Sequence, residues 1–132
     1  MTSGVHGVYI WHDHFVSRYL KEIYTTLFSK SYALATMGIR ALLERVMVDL
    51  VGDKGSFKET LSSFKGAGHI GETQRKTLED TLEFGHATMH RGYKPTQTDT
   101  EIALGIVEGI IESIYIHSPQ AADLRKRVPE RK

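Results

Sequence analysis

Two histidines one helical turn apart are the residues of this sequence best suited to chemistry. His86 and His90 lie in the segment EFGHATMH, where a helix would let both imidazole rings address one point. Imidazole titrates near neutral pH, which suits a general acid and base acting on a phosphodiester. Two histidines could instead hold a metal ion with Glu83 or a residue of another helix. We favour a third interpretation, a structural pair hydrogen-bonded to nearby carboxylates, namely Glu79, Glu83 or Glu44.

A second candidate pair lies in the most apolar stretch of the chain, residues 31–51, which reads SYALATMGIRALLERVMVDLV. A helix here is apolar nearly all round, with a narrow polar strip formed by Arg45 and Asp49, so it predicts the central helix of a bundle. Arg40 and Glu44 fall between apolar residues. Because an unpaired buried charge is costly, we predict that they form a structural ion pair rather than an active site. The expected core residues of this helix are Ile39, Leu43, Val46 and Leu50.

Hydrophobic periodicity along the rest of the chain predicts an all-α fold. We expect an antiparallel helical bundle of five main helices plus a short C-terminal helix. The predicted ranges are about 13–29, 31–51, 56–66, 72–90 and 98–117, followed by 119–127. Capping boxes beginning at Ser56 and Thr98 mark the third and fifth helix starts, and Pro119 marks a new start for the last helix.

Two glycines and a basic C-terminal segment are further features of the sequence. Gly105 and Gly109 lie one turn apart on the fifth helix and would permit a close helix contact, which we predict to be ordinary packing rather than a dimer motif. The end of the chain, from Leu124 to Lys132, is basic and resembles a phosphate-binding patch. Solvated charged ends are common, so we interpret it as a solvated tail.

Bulk properties limit the classes of function. The 132 residues predict one domain, 1–132, with an irregular segment at 1–12 and a basic tail at 128–132. The net charge of +1 gives no global electrostatic reason to bind nucleic acid or a membrane, and the lack of cysteine excludes thiolate chemistry. We expect no cofactor, no membrane association and, by default, a cytoplasmic location. His12-Asp13-His14 could suggest a metal site, but we interpret it as a polar lead into the first helix.

Three fragments in a fixed order resemble a known bacterial family. They are LATMGIRALLE on the central helix, EFGHATMH on the fourth, and IVEGIIESIYIHSPQAADL near the end. Over about residues 17–129 the chain is similar to the domain-of-unknown-function family 4145, which is placed in the wider HEPN superfamily. The resemblance implies an antiparallel helical bundle, often a dimer. Many HEPN relatives are metal-independent ribonucleases of defence systems, and others keep the bundle without the chemistry.

Some residues of this chain match the site residues of the family, and others differ from them. His90 and Gly85 match the pattern Arg-x-x-Gly-Asn-x-x-x-His, but Leu82 stands at its arginine and His86 at its asparagine. Arg40 and Glu44 match the family's arginine and glutamate on the central helix. The resemblance therefore gives His90, His86, Arg40 and Glu44 as candidate catalytic residues, with Arg40 or Arg91 as the replacement cation.

Three functions are compatible with these patterns. We favour a non-catalytic interaction module in a bacterial defence or nucleic-acid-processing system. A metal-independent endoribonuclease using His86 and His90 at a dimer interface, with RNA as its substrate, is the first alternative. A small-molecule or metal-binding bundle is the second. Two helices apolar nearly all round are more than a bundle of this size encloses, so we also predict a homodimer.

Overall fold

The computed structural model describes residues 14–131, and within that range the chain forms six α-helices and one π-helical turn and has no strand. The helices are α1 (Phe15–Phe28), α2 (Tyr32–Val51), α3 (Phe57–Gly66), α4 (Glu72–His90), α5 (Gln97–Glu112) and α6 (Ser118–Arg127). The π turn, Ser113–His117, joins α5 to α6. The predicted all-α bundle is confirmed.

The helix α2 is the centre of the bundle, as its apolar sequence predicted. It contacts α1, α3, α4 and α5. Ile39, Leu43 and Val46 are fully buried in the core, but Leu50 is half-buried and packs against the core's edge. The polar strip is also wider than predicted, since Glu44 is exposed beside Arg45 and Asp49.

The first helix begins where a histidine caps it. His14 Nδ1 accepts a hydrogen bond from the backbone N–H of Val16 at 3.3 Å. His12 and Asp13, the other members of the suggested metal motif, lie outside the described residues. A short turn at residues 29–31, with Lys30 at φ 61°, then reverses the chain and makes α1 and α2 neighbours.

Two predicted capping boxes have different outcomes. Ser56 caps α3 as predicted, by accepting from the backbone N–H of Glu59 at 3.2 Å, but the returning bond to the Glu59 side chain that would complete the box is absent within the described chain. The box predicted at Thr98 is wrong, because α5 is capped two residues earlier. Thr96 and Asp99 bond reciprocally, each side chain accepting the other's backbone N–H at 3.1 Å. The Tyr93 hydroxyl donates to the same aspartate at 2.6 Å and holds it in place.

The predicted break before the last helix is absent from the described chain. The backbone runs from α5 through the π turn into α6 without interruption. Pro119 has no N–H to donate, and in a regular α-helix its ring would clash with the backbone carbonyl four residues earlier. A wider turn accommodates it, because the N–H of Ser118 donates to the carbonyl of Ser113, five residues back.

Gly105 and Gly109 do not pack against another helix of the described chain. A Cβ added at either position would meet nothing within 4 Å. Within residues 14–131 the predicted close packing is absent, and no described residue covers the face of α5 that carries these glycines.

Candidate functional site

The two histidines lie at the C-terminal end of α4 and contact each other. Their ring centroids are 4.6 Å apart, with the ring planes inclined by 46°. His86 is half-buried, whereas His90 is exposed at the last residue of the helix. Helical spacing brings the rings together as expected.

A cleft of about 830 Å³ opens beside His86, between α2, α3 and α4. Its walls bear charges of both signs over an apolar floor. The lining residues are Arg40, Phe57, Lys58, Leu61, Ser62, Lys65, Glu72, Arg75, Glu79, Asp80, Leu82, Glu83 and His86. Of the four predicted site residues, Arg40 and His86 share this cleft. His90 and Glu44 are not part of its lining.

The side chain of Arg40 is held by α3 and α4 and not by Glu44. Its guanidinium lies over the ring of Phe57, with Cζ 4.3 Å from the ring centroid. Nη1 donates to Met89 Sδ at 3.7 Å. A Cβ added at Gly85 would lie 3.0 Å from Arg40 Cδ, so the aliphatic stem rests directly on this glycine.

The predicted ion pair between Arg40 and Glu44 is therefore wrong. Glu44 faces solvent and needs no partner, while Arg40 gains a cation–π contact that satisfies its charge in a half-buried place. Helical spacing alone could not distinguish this contact from an i,i+4 ion pair.

The carboxylates near the histidines are engaged by arginines. Glu83 accepts from Arg91, and Glu79 accepts from Arg75. Within the described chain, neither imidazole hydrogen-bonds to Glu79, Glu83 or Glu44, so the structural interpretation of the histidine pair is wrong in the partners it named.

These ion pairs keep the carboxylates charged. The guanidinium of Arg91 holds the pKa of Glu83 below its usual range. Hydrogen bonds from Arg75 and Lys65 lower the pKa of Glu72 to about 2. The Arg75 cluster joins Glu72 and Glu79 on successive turns of α4 and reaches Lys65 of α3 through Glu72.

The lining of the cleft has no excess of positive charge. Arg40, Lys58, Lys65 and Arg75 face four carboxylates: Glu72, Glu79, Asp80 and Glu83. Leu82, at the position of the family's arginine, is buried and apolar. Such a lining can bind a ligand of mixed charge but is poorly arranged to concentrate phosphate.

Across residues 14–131, no group of three or more His, Asp or Glu side chains is arranged to hold a metal ion. No helix in this part of the chain combines the length and hydropathy needed to cross a bilayer.

Sequence reasoning missed two residues of the site, Phe57 and Met89. Both contact the guanidinium of Arg40 from other helices, and a contact between helices leaves no signal in local spacing. The Arg75 cluster could have been found, since Glu72, Arg75 and Glu79 have the i,i+3 and i,i+4 spacing of helix-surface ion pairs.

A family model described as "Domain of unknown function (DUF4145)" matches residues 21–127. Comparison with the curated proteins and with the solved structures finds no match. The matched region runs from the middle of α1 to the end of α6 and includes the cleft and both histidines. The chain therefore belongs to the DUF4145 family.

Proposed function

We propose that this chain is a non-catalytic helical interaction module of HEPN type that acts through protein partners. Its setting in this proposal is the bacterial cytoplasm, in a defence or nucleic-acid-processing system. The module binds through its C-terminal helix and the uncovered face of α5. The side-chain contacts that line the cleft next to His86, such as that of Arg40 with Phe57, serve to stabilise the packing of α2 against α3 and α4.

The observation that carries this proposal is the exposure of α6. All ten residues of this helix are exposed, and none is buried against the bundle. Its principal contact is the π turn that precedes it. Leu124 and, just after the helix, Val128 present large apolar side chains to solvent. A helix without packing gains little stability in water, so an ordered α6 favours a role in binding.

The charges around the histidines support the absence of catalysis. Cleavage of RNA by its own 2′-hydroxyl needs a base, an acid and positive charge beside the developing phosphorane oxygens. His86 and His90 have the chemistry of the first two. The third is missing where the family pattern has it, because Leu82 is neutral and Glu83 repels phosphate.

The nearby arginines are also engaged elsewhere. Arg91 is paired with Glu83, Arg75 with Glu72 and Glu79, and Arg40 is stacked on Phe57. To serve a phosphate, each would have to give up its present contact.

An endoribonuclease is the second candidate, and one observation favours it. The two imidazoles are in contact, with centroids 4.6 Å apart, and His86 lines the same cleft as Arg40. A cation and a titratable pair are thus close, although the paired carboxylates of the cleft oppose binding of a polyanion.

The proposal is tested by incubating the purified full chain with structured and single-stranded RNA, with and without EDTA. We expect no cleavage above that of a His90→Ala variant. The Glu22→Gln variant serves as a control, because it changes an exposed residue of α1 outside the cleft and outside the set of candidate catalytic residues. Metal-independent cleavage that disappears in folded His90→Ala and persists in Glu22→Gln would overturn the proposal and establish the ribonuclease.

A further inference from the structure

We infer that the partner of this module is a second copy of the chain, bound so that α6 of each copy lies antiparallel along α5 of the other. This inference rests on the proposed function and names the partner of its surface. The two halves of the contact are complementary in polarity and charge.

One half of the contact is the uncovered face of α5. Ile102 is 58% exposed, and Gly105 and Gly109 follow it at intervals of three and four residues, the spacing of one helix face. No atom of residues 14–131 lies within 4 Å of a Cβ placed on either glycine. A neighbouring helix can therefore approach this face as closely as two backbones allow.

Ile102 also forms part of a groove of about 320 Å³ between α4 and α5. Phe84, Ala103 and Ile106 give the groove an apolar floor, and Asp80 and Asp99 lie on its lining. This combination fits an apolar side chain that arrives flanked by positive charge.

The other half is α6, which carries such a side chain. Leu124 is 60% exposed and is followed by Arg125, Lys126 and Arg127. A helix's own C-terminal end cannot reach the groove. Since α5, the π turn and α6 run on continuously, Leu124 lies about 33 Å along the helix from Ile102 at 1.5 Å per residue.

An antiparallel pairing of two copies places these parts together in one register. If Leu124 of one copy is opposite Ile102 of the other, the twofold axis passes near Ser113, midway between them. The same register sets Gly105 opposite Ala121, so a small residue meets a glycine. It also sets Glu101 beside the turn that contains Arg125 and Arg127.

The charges favour a second copy over nucleic acid. The exposed strip of α5 is acidic, with Glu101 exposed and Glu108 and Glu112 half-buried next to it. An acidic face repels a polyanion and attracts the basic turn of α6. In a dimer with a twofold axis this attraction between the acidic face of α5 and the basic turn of α6 occurs twice.

Charge reversal with mixing tests this arrangement. In the full chain, Glu101→Arg places two like-charged contacts in the self-pair, and so does the double variant Arg125→Glu with Arg127→Glu. We expect wild type to sediment at about twice 14.9 kDa and each variant alone to associate about tenfold more weakly or worse. Mixed one to one, the two variants should form a heterodimer, because every like-charged contact becomes an opposite one.

A matched pair of apolar variants locates the contact independently. Leu124→Glu should give a species near 14.9 kDa. The matched control is Leu34→Glu, the same substitution at a leucine that is 59% exposed at the start of α2. It should leave the dimer intact, because Leu34 lies outside the proposed contact. All these positions are exposed, and circular dichroism of each variant checks that the bundle is folded.

Four results would overturn the inference. The first is a wild-type mass near 14.9 kDa at several hundred micromolar, and the second is dissociation by Leu34→Glu in place of Leu124→Glu. The third is failure of the charge-reversed variants to pair on mixing. The fourth is binding of RNA by monomeric wild type that is lost in the double variant. The last would assign α6 to nucleic acid.

These failures are distinct from failure of the proposed function. A monomer that leaves RNA uncut removes the pairing alone and leaves the module with a different protein partner. Cleavage that depends on His90 removes the proposed function whatever the mass of the protein.

Discussion

The aliphatic stem of Arg40 rests on Gly85, so that a Cβ at position 85 would lie 3.0 Å from Arg40 Cδ and 3.2 Å from Arg40 Cβ. This contact lets α2 and α4 approach closely. It also fixes the direction of the arginine, whose guanidinium reaches Phe57 of α3 and Met89 of α4. Gly85 thus leaves the space in which the Arg40 side chain of α2 contacts both α3 and α4.

The variant Gly85→Ala tests this contact. Overpacking costs typically about 1–3 kcal/mol, which exceeds the roughly 1 kcal/mol that alanine gains over glycine in a helix. We therefore expect a net loss of stability in urea unfolding. Gly66→Ala is the control, because a Cβ on that helical glycine meets nothing within 4 Å, and it should not lower stability. Equal effects of the two substitutions would show that the Arg40 contact imposes no constraint.

Truncation of two leucines of α2 compares the stability cost at the centre of the core with that at its edge. Leu43→Ala should cost about 2–5 kcal/mol, because the side chain is fully buried at the centre of the bundle. Leu50→Ala should cost clearly less, since that leucine is half-buried. Thermal and urea unfolding measure both values, and a cost for Leu50→Ala that equals or exceeds that for Leu43→Ala would contradict the described packing.

The start of α5 is tested by two threonine variants. Thr96→Ala removes the oxygen that accepts from the N–H of Asp99 and should cost about 1 kcal/mol. Thr98→Ala should change stability by less than about 0.5 kcal/mol, because this exposed residue lies inside the helix. A larger loss for Thr98→Ala than for Thr96→Ala would instead support the capping box predicted at Thr98.

A half-buried carboxyl on α5 makes stability depend on pH. Burial raises the pKa of Glu108, and repulsion by Glu112 adds to the effect, while the hydrogen bond donated by Tyr24 at 2.6 Å offsets part of it. A raised folded-state pKa means that the folded chain binds the proton more tightly than the unfolded chain. Its contribution to stability is therefore largest below the unfolded pKa and is lost as pH rises through the folded pKa.

Replacement by glutamine removes this dependence. Glu108→Gln keeps an oxygen for the Tyr24 hydroxyl and removes the desolvated charge, so it should be more stable than wild type at pH 7. The difference should disappear below about pH 4, near the unfolded pKa of glutamate. Melting temperatures over this range measure the effect, with exposed Glu44→Gln as a control that should show no such trend. Destabilisation by Glu108→Gln at pH 7 would contradict the assigned sign.

The features that could be predicted from the sequence are those with a local signal. The apolar circumference of residues 31–51 predicted a central helix, and α2 contacts four others. The serine at 56 predicted the cap of α3. The central helix follows from hydrophobic periodicity and the cap from a capping pattern. Each of these signals involves residues that are close together in the sequence.

The features that were wrong depend on contacts between helices. Arg40 has a carboxylate four residues away, yet its guanidinium lies over Phe57, seventeen positions further on. Gly105 and Gly109 have the spacing of a packing motif, but their face is uncovered within the described chain. Spacing identifies which residues share a face and leaves open what that face meets.

Amide hydrogen exchange of α6 as a function of protein concentration tests most directly whether this helix is a binding element. None of the helix's residues is buried on the described bundle, so its amides should exchange fast at roughly 1 µM and become protected at several hundred micromolar, as association stabilises it. The core helix α2 should remain protected throughout, and Leu124→Glu should abolish the concentration dependence in α6. Exchange in α6 that is slow at every concentration, or equally fast at every concentration, would contradict the account.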